Sequence, residues 1–196
     1  MLASAVILAG GASTRMQTNK ALVELFKGER MIDYVIGRLQ PLFDDIVVVT
    51  NDPDLYTGIK GKVITDHYPR RGPLSGIHAG LLATAADKAL VLACDMPFFS
   101  LELAQYMLAT VNDWQAVVPV FNDRLQSLNA VYHRSVAMEA EGLLLEGHSK
   151  LRILFERINY RVLEPDELLP FGDPEKLFTN VNTKDSLEEA RYLLGM

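Results

Sequence analysis

Apolar residues in this chain gather into short runs with helically spaced segments between them. Ala5-Val6-Ile7-Leu8, Ile46-Val47-Val48-Val49, Val63-Ile64 and Ala89-Leu90-Val91-Leu92-Ala93 are rich in β-branched residues or Leu, and turn residues close each run. Runs this short and apolar on both faces are what a parallel sheet covered by helices on each side produces. Between the first two, Ile32, Val35, Ile36, Leu39 and Leu42 recur at helical spacing, with Pro41 near the end. Gly72-Pro73 opens another helix, because proline suits a first helical turn. The small residues Gly76, Ala79, Gly80 and Ala83 let that helix pack closely. Strand and helix alternate to about residue 110, the signature of a doubly wound α/β sheet.

The pattern changes near residue 114. Residues 116–120 and 127–132 read as strands flanking the polar turn Asn122-Asp123-Arg124, which predicts antiparallel pairing added to the parallel core. A helix over about 134–145, a short basic segment from Lys150 to Arg157, a strand near 160–164 and a helix from about 185 follow. The expected fold is therefore α/β and three-layered, with a doubly wound, mostly parallel sheet and an antiparallel addition. No repeat or linker divides the chain, so one domain over residues 1–196 is expected.

Composition narrows the function classes. A formal net charge of -6 argues against a general nucleic-acid binder, which would show a basic face, but leaves room for a small phosphorylated ligand. The single cysteine, Cys94, allows no intrachain disulfide and fits a reducing compartment. No apolar stretch approaches the roughly 20 residues of a membrane span, and no basic leader precedes the first apolar run. A soluble, cytoplasmic protein is the expectation.

Four stretches carry candidate chemistry. In Leu8-Ala9-Gly10-Gly11-Ala12-Ser13-Thr14-Arg15-Met16 an apolar strand ends at two glycines, which let backbone N–H groups approach a ligand. Arg15 and Lys20 could then supply cations to a polyphosphate. The spacing is neither GxGxxG nor that of a P-loop, and a plain strand-to-helix turn with solvated cations explains the glycines equally. Asp95, in Cys94-Asp95-Met96-Pro97, puts a carboxylate at a strand's carboxyl end, where it could hold Mg²⁺ or simply cap the helix near Ser100. In Arg70-Arg71-Gly72-Pro73-Leu74-Ser75-Gly76, glycines and a helix N-terminus could face an anion or a base edge, although an ordinary helix start accounts for them. Asn180 and Asn182 flank one apolar residue before the last helix, and both side chains point the same way in an extended segment. Thr183 or Asp185 suits the N-cap there, so capping explains at most one asparagine. The four histidines show no metal-ligand spacing.

In that order, LAGGxSxRM with a lysine five residues after the arginine, TDHYPRRGPLSGIHAGL, LACDMPF and FTNVNT resemble the molybdenum cofactor guanylyltransferase family over residues 5 to about 190. The resemblance implies a nucleotidyltransferase fold of Rossmann-like type. It also implies transfer of GMP from GTP to the molybdopterin form of the molybdenum cofactor, with Mg²⁺ as cofactor and pyrophosphate as leaving group. Molybdoenzyme-specific chaperones are the implied downstream partners, without nucleic acid or membrane. By the family pattern, Leu8, Ala9, Gly10, Gly11, Asn51, Asp66 and Gly76 belong to the nucleotide site, Lys20 is the motif lysine, and Asp95 binds GTP and the metal. Asn180 and Asn182 lie near the reacting centre, and Arg15, Lys20 and Asp95 are the implied catalytic residues. Related cytidylyl enzymes usually read LAAG and DQP where this chain reads LAGG and DMP. The alternatives are a cytidylyl or sugar-phosphate transferase of the same fold, or a non-catalytic nucleotide-binding adaptor. Four positions in three motifs depart from the pattern: Gln17 and Asn19 where RMGxDK is usual, Ser127 where a proline often follows the glutamine, and Lys184 for the proline common after FxNxNT.

Overall fold

The computed structural model describes residues 3–10, 19–68 and 71–195. Its strands are β1 (Ser4–Leu8), β2 (Glu24–Phe26), β3 (Glu29–Arg30), β4 (Asp45–Val49), β5 (Lys62–Ile64), β6 (Lys88–Ala93), β7 (Ala116–Phe121), β8 (Arg124–Leu125), β9 (Asn129–His133) and β10 (Tyr160–Leu163). The α-helices are α1 (Met31–Leu39), α2 (Pro73–Ala83), α3 (Leu101–Thr110), α4 (Val136–Leu145), α5 (Leu151–Phe155), α6 (Pro165–Leu168), α7 (Pro174–Leu177) and α8 (Lys184–Leu193). The main sheet runs β10-β7-β9-β6-β1-β4-β5, with β8 paired to β7.

Pairing is parallel from β6 through β1 and β4 to β5, and antiparallel where β9 lies between β6 and β7. The two faces of the sheet bury separate sets of side chains, as strand alternation requires. Ala5, Ile7, Val48, Leu90 and Leu92 pack with Ile32, Val35 and Leu39 of α1 and Leu103 and Met107 of α3. Val6, Val47, Val49 and Val91 face the other way, onto Leu74, Ile77 and Leu81 of α2 and Val136, Ala140 and Leu143 of α4. Helices therefore cover both faces, giving the three-layer, mostly parallel fold with its antiparallel addition.

Several details differ from the sequence expectation. The turn at Asn122 and Asp123, with φ of 51° and 57°, joins β7 to the short β8. Two consecutive positive φ values match the right-handed twist of a two-residue hairpin. β9 starts at Asn129 rather than at residue 127, because the Asn129 N–H turns back to the Gln126 carbonyl at 2.9 Å. The basic segment after Lys150 contains the helix α5. A β2–β3 hairpin, which the sequence pattern did not announce, packs Leu25 against Val181, Leu187 and Ala190. Arg191 fastens it to α8 by donating to the carbonyls of Glu24 at 2.7 Å and Leu25 at 3.1 Å.

Candidate active site

Register places the candidate residues. Leu8 pairs with Val49 on one side and Ala93 on the other, and Val49 pairs with Ile64. Gly10, Asn51, Asp66 and Asp95 each follow one of these aligned residues by two positions. Four strand ends thus deliver them to one edge of the sheet, the carboxyl edge where open α/β sheets bind ligands. The backbone pairing continues just beyond the strands. Ala9 N–H donates to the Val49 carbonyl at 2.8 Å, Thr50 N–H to the Ile64 carbonyl at 3.0 Å, and Cys94 N–H to the Leu8 carbonyl at 3.1 Å.

Lys20 reaches the same edge from a single 3-10 turn, Lys20–Leu22. Its Nζ lies 3.4 Å from Asp95 Oδ2 and donates to Asn182 Oδ1. Asp95 and Lys20 are only partly exposed, so the ion pair is a lining of the site rather than a loose surface contact. Asp95 does not cap the helix that follows. Ser100 does, accepting from the Leu103 N–H at 3.1 Å. Likewise Thr183 caps α8 by accepting from the Ser186 N–H at 3.1 Å, which leaves the Asn182 side chain to Lys20. Val181 is buried between the two asparagines and donates its N–H to the Asp95 carbonyl at 2.8 Å. Asn180 is exposed, and the structure does not join it to Lys20 or Asp95.

Asp66 stands on the α2 side of this edge. Its Oδ1 is buried without a hydrogen-bond partner among the described residues. Burial pushes the carboxyl above the usual carboxylate range, while Ser75, His67 and Asn51 draw it partly back. Gly76 lets α2 approach closely: a Cβ there would sit 3.0 Å from Leu8 Cδ2 and 3.8 Å from Asp66 Oδ1. A Cβ on Gly10 would stand 3.2 Å from Asn51 Nδ2, so Gly10 and Asn51 are immediate neighbours. Leu8, Ala9, Gly10, Asn51, Asp66, Gly76, Asp95 and Lys20 therefore line one side of the molecule, and Asn182 joins them from the far end of the sequence. Gly11, Arg15 and Gln17 lie outside the described residues.

Cys94, next to Asp95, is buried, and its thiol is pushed up to about 12 by burial and by the neighbouring carboxylate. It is a packing residue and not a nucleophile. Sequence reading missed Tyr56. Its buried hydroxyl donates to the Ala9 carbonyl at 2.8 Å and accepts from Asn19 Nδ2 at 3.0 Å. The available signal was one aromatic residue closing the turn-rich stretch Asn51-Asp52-Pro53-Asp54-Leu55-Tyr56.

Among the described residues no group of three or more His, Cys, Asp or Glu side chains could hold a metal by itself. A single carboxylate with an amide oxygen at the same lysine nonetheless fits Mg²⁺, which takes oxygen ligands and is commonly bound through one or two carboxylates plus substrate phosphates.

Comparison with known proteins identifies the lineage. Residues 5–162 match the MobA-like NTP transferase domain family. This chain belongs to that family, among the molybdenum cofactor guanylyltransferases. It is 36% identical to the "Probable molybdenum cofactor guanylyltransferase" of Natranaerobius thermophilus, covering 98% of this chain and 96% of the relative. The Molybdenum cofactor guanylyltransferase of Syntrophotalea carbinolica is 33% identical, over 96% of this chain and 90% of its own length. Among solved structures, Molybdopterin-guanine dinucleotide biosynthesis protein A from Archaeoglobus fulgidus superposes with a TM-score of 0.84 at 27% identity, over 97% of this chain and 98% of that one. The chain is thus a nucleotidyltransferase, of the fold the alternating pattern implied. No described helix is long and apolar enough to cross a membrane.

Proposed function

We propose that this chain transfers GMP from GTP to the phosphate of molybdopterin in the molybdenum cofactor. The observation that carries the reading is Lys20 Nζ held by Asp95 and Asn182 at the carboxyl edge of the sheet. An oxygen of the cofactor phosphate attacks the α-phosphorus of GTP. The new P–O bond forms as the bond from the α-phosphorus to the bridging oxygen breaks, and the electron pair leaves on pyrophosphate.

Two anions must be brought together in this step, so positioning and charge neutralisation do most of the catalysis. Lys20 supplies a cation, and Arg15 is proposed as a second. The exposed backbone at Gly10 leaves room for the phosphates beside Asn51. The attacking phosphate is already ionised, so no general base is required. That agrees with a site whose described residues hold no histidine beside Lys20 or Asp95. Asp95 would hold Mg²⁺, with Asn182 beside it, and the ion would screen the phosphate charges when bound. Asn182 also keeps the lysine from swinging away from the metal carboxylate. Asn180 is proposed to meet the incoming phosphate from the solvent side, consistent with its exposure.

Guanine recognition falls to Asp66. A buried carboxylate oxygen without a partner needs a donor, and guanine presents N1–H and N2–H₂ side by side. The pairing edge of cytosine offers a single amino donor at N4 beside the acceptors N3 and O2, so it would satisfy one carboxylate oxygen and set a lone pair against the other, where guanine offers two adjacent donors. Gly76 keeps the space beside Asp66 free of a side chain.

The test is direct. Purified protein given Mg²⁺, GTP and molybdopterin-bearing cofactor should form the guanine dinucleotide product and pyrophosphate, measured by mass spectrometry and phosphate release. Product with CTP but none with GTP would overturn the base assignment. GTP binding with no turnover under full cofactor supply would favour a nucleotide-binding adaptor.

A further inference from the structure

One buried hydroxyl links the two segments that carry the nucleotide-facing backbone and the catalytic lysine. Tyr56 ends the 3-10 turn Pro53–Tyr56, a few residues after Asn51, and is 2% exposed. Its single proton goes to the Ala9 carbonyl at 2.8 Å, the shorter of its two acceptor contacts; Asn19 Oδ1 lies at 3.2 Å. Its lone pair accepts from Asn19 Nδ2 at 3.0 Å. Asn19 Oδ1 in turn caps the turn that bears Lys20, accepting from the Ala21 N–H at 3.1 Å. Ala9 is the residue just past β1, so the exit of that strand and the base of the Lys20 turn meet at one oxygen atom.

We infer that Tyr56, acting through Asn19, is a positioning residue that sets the reach of Lys20 toward Asp95 and Asn182. The inference rests on the proposed guanylyl transfer for its kinetic consequence, though not for its geometry. Asn19 departs from the aspartate common at this place, and the network shows what the amide does. It donates to the phenol and accepts from Ala21, so the phenol proton stays on Ala9. An aspartate accepts only, and would compete with the Ala9 carbonyl for that proton. The chain from Tyr56 to the Lys20 turn would survive that change, whereas alanine would remove it. Burial holds the phenol above its usual range, keeping it a proton donor at neutral pH.

The experiment compares Tyr56→Phe, Asn19→Ala, Asn19→Asp and the Tyr56→Phe/Asn19→Ala double variant with the unaltered chain. The readouts are kcat for GMP transfer, GTP affinity by calorimetry, and hydrogen exchange at the Ala21 amide. Tyr56→Phe and Asn19→Ala should each lower kcat about tenfold while GTP affinity changes less than threefold. The double variant should be no worse than about the poorer single one, because both cut the same chain. Asn19→Asp should keep at least a third of the rate. Ala21 should exchange faster in Tyr56→Phe. Unchanged kcat in Tyr56→Phe, or losses that multiply in the double variant, would overturn the inference. So would parallel losses of kcat and GTP affinity. Should the unaltered chain transfer no GMP, the functional reading fails by itself. Ala21 exchange in Tyr56→Phe then still decides whether the hydroxyl orders the Lys20 turn, and an unchanged rate would count against it.

Discussion

Val181 donates its backbone N–H to the carbonyl of Asp95 at 2.8 Å, so the segment before α8 is bonded to the main chain of the residue that pairs with Lys20. This contact, together with the local bond from the Asn182 N–H to Ser186 Oγ at 2.9 Å, sets Asn182 against Lys20. Replacing Asn182 by alanine should therefore leave the segment docked while freeing the ammonium of one partner. A kcat loss of roughly tenfold or more with unchanged Tm is expected, and steady-state kinetics beside thermal melting checks it. A large fall in Tm would mean that the asparagine serves the fold instead.

Lys20 and Asp95 should separate activity from stability. Their ion pair lies between an exposed and a buried one, so breaking it is expected to cost about 1–2 kcal/mol, or roughly 2–8 °C in Tm for a chain of this size. If Lys20 neutralises the transferred guanylyl phosphate as proposed, Lys20→Ala should lower kcat on the order of a hundredfold to a thousandfold. Asp95→Asn should abolish Mg²⁺-dependent turnover with the circular dichroism spectrum retained. A fully active Asp95→Asn variant would remove the metal assignment.

GTP affinity should weaken in mild acid. The Asp66 carboxyl is raised by burial, and guanine donors favour its ionised form. Bound nucleotide thus lowers the Asp66 pKa relative to the free protein. Affinity is complete above the raised free-state value and declines as pH falls through it, starting above the ordinary carboxylate range near about 4. Asp66→Asn should bind GTP weakly and lose this slope, while discriminating less between GTP and CTP. Calorimetric titration across pH settles it, and a variant with an unaltered profile would acquit Asp66.

His78 should make the fold sensitive to acid. It is 1% exposed on α2, and both ring nitrogens lack hydrogen-bond partners among the described residues. The rings of His67 and Tyr68 lie 5.5 Å away, and Glu141 Oε1 is 3.9 Å from Nε2. Burial lowers its pKa, and Glu141 only partly offsets that. A lowered folded-state value means that stability is full above the unfolded histidine pKa of about 6.5 and is lost as pH falls below it. Urea midpoints at pH 7.5 and pH 5 should lie closer together in His78→Phe than in the unaltered chain. Identical spacing would place the acid sensitivity elsewhere.

Gly80→Ala should destabilise the protein despite the better helix propensity of alanine. The new Cβ would stand 2.3 Å from Val6 Cγ1 and 3.3 Å from Val49 Cγ2, under a fully buried valine. Overpacking of about 1–3 kcal/mol outweighs a propensity gain near 1 kcal/mol. A lowered Tm is expected, and a raised one would show that α2 can lift off the sheet at little cost.

What the sequence revealed follows from how each element is encoded. The ends of the runs at Leu8, Val49 and Ala93 were visible because β1, β4 and β6, largely buried on both faces, write continuous apolar stretches, while the half-buried edge strand β5 left only the short pair Val63-Ile64. Those ends put Gly10 and Asp95 at strand carboxyl ends, whereas Asn51 and Asp66 were named only by the family resemblance, and the strand register shows that they share the same edge. The β2–β3 hairpin was not visible, since strands of three and two residues leave no periodic trace and owe their place to Arg191 on α8. Tyr56 was missed for a similar reason: its partners Ala9 and Asn19 are remote in sequence, and a hydroxyl leaves no pattern. Asn19 was legible only as a departure, and its use as a cap with two partners appeared once the backbone placed it beside Tyr56.

The thiol beside the Asp95 carboxylate has a practical side. With Cys94 the only cysteine, buried and held as the thiol far above neutral pH, reagents that attack thiolates have no ready target in this protein. A cysteine introduced at an exposed position such as Tyr192 on α8 could be coupled to a dye or spin probe while Cys94 stays in place. Distances from that label to a labelled nucleotide would then report on the C-terminal helix during turnover, in a chain whose site residues are all native.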